Sequence, residues 1–131
     1  MKESLLDIVK KPEVLSQEEQ MVDKEKCTIL HCRIFCTSPT NMRIWPVTVL
    51  KEDTGTERKL IHAIGISKYP HWTPVNISNG FFHFTLVFEG LTSECKEFLL
   101  VEFIAPEPGG FISDVIRRNK TDVYETELEA L

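Results

Sequence analysis

The stretch Gly80-Phe81-Phe82-His83-Phe84-Thr85-Leu86-Val87-Phe88 decides the fold. Phe82, Phe84, Leu86 and Phe88 recur at period two while His83 and Thr85 dilute the other face, the alternation of a strand with one side on a core. Each of these bulky side chains contributes about 1.5–3 kcal/mol when fully buried, so this strand is the first core candidate. After it, Glu89-Gly90-Leu91-Thr-Ser-Glu-Cys95 turns the chain into Phe98–Ile104, an apolar run holding one acid, Glu102. Ahead of it, Ser67–Asn79 reads as a long loop.

Further outward the texture stays that of strands between turns. Cys27–Cys36 is apolar and unbroken, as expected of a strand covered on both faces, and Thr37–Asn41 is a turn cluster. Met42–Leu50 reads as a strand that Pro46 confines to an edge or a bulge, because proline offers no ladder donor. Gly55 marks a hairpin-type turn before Leu60–Ile66, and Ala105–Gly110 is a break rich in Pro and Gly. Phe111–Ile116 and Thr121–Leu128 complete about seven strands. The expectation is an all-β fold, an antiparallel immunoglobulin-like β-sandwich over 27–131, following an N-terminal helical arm over 1–26. In that arm, Ser4 caps a short helix with Leu5, Leu6, Ile8 and Val9 on one face, and Ser16-Gln-Glu-Glu19 opens a second.

The segment Phe82–Leu91, Phe-x-Phe-Thr-Leu-x-Phe-x-Gly-Leu, followed by Phe98-Leu-Leu-Val-Glu102, resembles small immunoglobulin-like sandwich domains of uncharacterised bacterial proteins. The resemblance implies a sandwich without enzymatic activity. It transfers no functional residues, and a fold alone assigns no function.

The chain has 131 residues, 42% of them hydrophobic and 27% charged, which suits one globular domain. Its net charge of −5 argues against a nucleic-acid binder that tracks phosphates and against docking on anionic lipid. Acids Glu3 and Asp7 interrupt the first apolar patch, so the start does not read as a secretory signal, and the expected compartment is the cytoplasm.

Little chemistry is written in the sequence. No phosphate cradle or nucleophile elbow occurs, so the expectation is a non-enzyme without a cofactor. Glu52-Asp53 reads as a solvated turn, as do Arg117, Arg118 and Lys120. Alternation sets Cys27 on one face and Cys32 and Cys36 on the other, against a zinc site completed by Cys95 or His31. A Cys32/His83 nucleophile pair would need cross-strand pairing to join the two.

The aromatic loop Tyr69-Pro70-His71-Trp72 is the candidate binding site, with Tyr69, His71 and Trp72 as contact residues. The competing reading is that Trp72 folds back to plug the sandwich. Trp45 beside Pro46 suggests self-association through an edge strand. The expected function is thus an interaction module, for a protein partner or a homodimer, acting through loops or an edge. The alternative is a small-ligand or metal-binding domain using the sandwich mouth or the Cys27–Cys36 region.

Overall fold

A computed structural model describes residues 26–104 and 109–131. The helical arm expected within 1–26 therefore lies, but for Lys26, outside the described residues, and the described residues contain no helix. The strands are β1 (Cys27–Cys36), β2 (Thr40–Met42), β3 (Val49–Glu52), β4 (Glu57–Ile64), β5 (Thr73–Val75), β6 (Gly80–Glu89), β7 (Glu97–Phe103), β8 (Gly110–Ser113), β9 (Ile116–Arg117) and β10 (Val123–Ala130).

The fold is all-β, but it is neither a sandwich nor wholly antiparallel. Pairing runs β3-β4-β6-β1-β10-β8-β7, and β7 pairs back onto β3, so seven strands close a barrel. Closure rests on β3, where Leu50 faces Arg58 of β4 on one side and Leu100 of β7 on the other. β10 returns parallel to β1, with Leu30 opposite Tyr124 and Ile34 opposite Leu128. Alternation in a sequence fixes which side chains share a face; it does not fix which strand lies alongside which. That is why the same stripes fit a sandwich and a barrel.

Even-numbered β1 and β6 residues point inward, with Thr28 opposite Phe88, Leu30 opposite Leu86 and Cys32 opposite Phe84. Leu30, Leu50, Leu86, Phe88 and Leu100 are fully buried and form the centre of the core. β1 is covered on its inner face only, since His31, Arg33 and Phe35 are exposed. The expected strand Met42–Leu50 is instead the end of β2, a connection through Arg43–Thr48, and the start of β3. Thr73–Val75, within the expected loop, pairs with β2 as a separate ribbon. Phe111–Ile116 is interrupted between β8 and β9, which follow one another along β7.

β1 and β10 run in the same direction, so the barrel has a Cys36 end and a Cys27 end. Cys36, Gly80, Phe103, Gly110 and Ala130 gather at the first by register. Gly110 has φ of 95°, and a methyl group there would overlap the Glu102 backbone carbonyl, so β8 can enter beside β7 only as glycine. No helix among the described residues is long and apolar enough to cross a membrane.

Candidate functional site

The Cys36 end is built by two connections held side by side. Ile44, fully buried, bridges Lys68: its N–H donates to Ser67 O at 2.8 Å, and its carbonyl accepts from Tyr69 N–H at 2.8 Å. The β2–β5 ribbon fixes both flanks, with Met42 opposite Thr73. Arg43 is thereby set among the aromatic residues of both connections. Its guanidinium lies 3.8 Å from the Trp72 ring centroid, 4.7 Å from Tyr69 and 5.0 Å from Trp45. Its Nη1 donates to Pro70 O at 3.0 Å, and Trp45 and Tyr69 pack with centroids 4.3 Å apart. A cation over ring faces gains about 0.5–2 kcal/mol per contact, which rigidifies side chains that are otherwise half in water.

Of the expected contact residues, Tyr69 and Trp72 meet on Arg43, whereas His71 stands apart in solvent with its backbone N–H donated to Lys68 O. Trp72 does not plug the barrel; it is 55% exposed. Trp45 is not on an edge strand. It lies in the connection between β2 and β3; β3 is paired on both sides, whereas β2 pairs only with β5.

Beneath the cluster lies a buried carboxylate. Glu102, 2% exposed, accepts the Trp45 backbone N–H at 2.8 Å and the Thr48 hydroxyl at 2.7 Å, both on Oε2. Burial raises its pKa, and those two donors only partly counter the shift. Glu102, Arg43, Trp45 and Trp72 line one cavity of about 380 Å³, with Ile34 and Phe111 among its apolar walls. The sequence signal for Glu102 is a single acid inside an apolar run. Arg43 has no such signal, because its partners lie far along the chain.

The remaining candidates separate. Cys32 and Cys36 are buried and face inward, while Cys27 is half-buried on the other face. Cys95 is buried near the Cys27 end, away from Cys36. Burial pushes the Cys32 thiol up to about 12, and burial together with the Glu52 and Asp53 charges pushes Cys95 up to about 11. Such thiols are poor nucleophiles and poor metal ligands. His83 pairs opposite Arg33 on the outer wall, so Cys32 and His83 occupy opposite faces. Among the described residues no three His, Cys, Asp or Glu side chains are placed to hold a metal ion.

Two turns expected to be solvated are structural. Glu52 is buried and accepts from Thr54 Oγ1 at 2.6 Å and from Thr92 N and Oγ1 at 3.0 and 2.6 Å. Burial opposes its ionisation, but these donors and Arg58 outweigh it and hold the carboxyl below its ordinary range. Arg118 forks onto Asp122 at 3.2 and 3.1 Å and donates to Thr92 O at 2.6 Å, fastening the Cys27 end.

Compared with protein-family models, with curated proteins and with solved structures, the chain matches none of them.

Proposed function

We propose that this chain is a non-enzymatic binding module that engages a protein partner through the Cys36 end of its barrel. One observation carries the reading: the exposed large apolar side chains crowd at that end. Phe35, Val47, Tyr69, Trp72, Phe103 and Leu131 are exposed there, whereas Ile61, Ile64, Val115 and Val123 lie elsewhere. Contiguous exposed apolar surface marks interaction sites, and Trp, Tyr and Arg dominate their energetics. Arg43 and Lys68 stand beside these aromatic side chains, which suits a partner segment joining apolar and acidic side chains.

Affinity capture from the native host, with matched variants, tests the reading. Tyr69→Ala with Trp72→Ala abolishes capture of the partner, while Val115→Ser with Val123→Ser preserves it. Equal capture by both double variants overturns the assignment. If wild-type protein dimerises in light scattering and the Tyr69/Trp72 variant does not, the partner is a second copy.

A further inference from the structure

We propose that the cavity beneath Trp45 and Trp72 is a binding site for a small, neutral, planar heterocycle that carries an N–H donor beside a carbonyl acceptor, as the pyrimidine and purine bases do. This goes beyond the docking face: Trp72 belongs to both, but the groups that would read such a ligand are Glu102 and Arg43. Two observations point to a missing partner. Both protein donors to Glu102 fall on Oε2, so Oε1 is left to accept from whatever occupies the cavity that Glu102 lines. Arg43, on the same wall, has a buried Nε–H without a hydrogen-bond partner. Buried polar groups in native proteins are nearly always paired, so a buried donor and an unused acceptor on two residues that line one cavity fit a ligand edge carrying both an acceptor and a donor.

Charge and shape narrow the class. A cationic ligand would meet Arg43 and an anionic one would meet Glu102, so a neutral molecule is favoured. The walls are two indole rings and apolar side chains, which favour a flat body over a branched one. At about 380 Å³ the cavity sits near the lower limit for ligand pockets and has room for a single base.

The chain contains only two tryptophans, and both line the cavity, so the indole N–H resonances of labelled protein report the site directly. Titration with uracil and with hypoxanthine is expected to shift both signals to saturation, whereas 1,3-dimethyluracil, which lacks the N–H donors, leaves them in place. Glu102→Gln gives the sharper result. The Trp45 backbone N–H still requires an acceptor, so the glutamine carbonyl stays on it and the NH₂ faces the cavity. The variant is expected to keep its fold, to bind uracil about tenfold more weakly or worse, and to gain affinity for dimethyluracil. Arg43→Gln is expected to weaken uracil binding in the same assay. Equal binding of uracil and dimethyluracil, no saturable shift with any base at millimolar concentration, or unchanged selectivity in folded Glu102→Gln protein overturns the proposal. Each of those results leaves the protein-docking assay, read at Tyr69 and Trp72, unaffected.

Discussion

Trp45 gives its backbone N–H to the Glu102 carboxylate across 2.8 Å, and this contact, with the Thr48 hydroxyl at 2.7 Å, fastens the Arg43–Thr48 connection to the end of β7. Two residues 57 apart in sequence thus determine whether the aromatic cluster has a floor. Glu102→Ala leaves the Trp45 N–H without its acceptor, while the Thr48 hydroxyl falls back on the Trp45 carbonyl at 2.8 Å, a loss of about 1–3 kcal/mol in urea unfolding. Glu102→Gln retains an acceptor and is expected to cost less than half as much. Equal destabilisation by the two variants would show that the hydrogen bonds contribute nothing.

The two buried glutamates impose opposite pH dependences. The Glu52 pKa is lowered in the fold, so its stabilisation is present above the unfolded value of about 4.3 and is lost as pH falls through the folded one. The Glu102 pKa is raised, so its contribution is complete below about 4.3 and is lost as pH rises through the folded value. Urea midpoints measured from pH 3 to 8 should therefore lose a rising limb in Glu52→Gln, in the acid part of the range. They should lose a falling limb above about pH 4.3 in Glu102→Gln.

Thiol titration under native conditions is expected to show one accessible cysteine. Cys27 is half-buried, whereas Cys32, Cys36 and Cys95 are buried and two of them have strongly raised pKa values. Cys27 reacts first, and the other three react only at the rate of global opening. Cys27→Ser removes the fast phase. A fast phase that persists would place another thiol at the surface.

The core depends on the inward stripes. Leu30→Ala is expected to cost about 2–5 kcal/mol and Phe88→Ala about 3–5 kcal/mol. Phe103→Ala, at a side chain 69% exposed, should change stability by less than about 0.5 kcal/mol. Removing residues 1–25 is expected to leave circular dichroism and cooperative unfolding intact, because every strand of the closed ring lies at or after Cys27.

The inner face of β6 could be read in the sequence, and so could the split of the β1 cysteines between two faces. Phe84, Leu86 and Phe88 are where their period puts them, and Cys32 and Cys36 face the core opposite to Cys27. The ring closure was not legible. It rests on the four residues of β3 accepting partners on both sides, and a strand that short has no periodicity to distinguish it from a turn. Ile44, Trp45, Val47 and Val49 read as a strand in which Pro46, lacking a ladder donor, marks an edge or a bulge, yet Trp45 turns to serve Arg43 and Glu102. Tyr69 and Trp72 could be picked out as aromatic residues in a loop. Arg43, which organises them, could not, since long-range cation–aromatic contacts leave no local trace.

The parallel seam between β1 and β10 sets the order in which this molecule can be made. During synthesis the first strand leaves the ribosome with one flank bare, and its permanent neighbour is assembled last. Until Val123–Ala130 has emerged, the nascent chain carries an open, hydrogen-bond-hungry β ribbon that invites intermolecular pairing. Messages cut short before that segment should therefore yield protein that aggregates or requires chaperones, rather than a smaller working version.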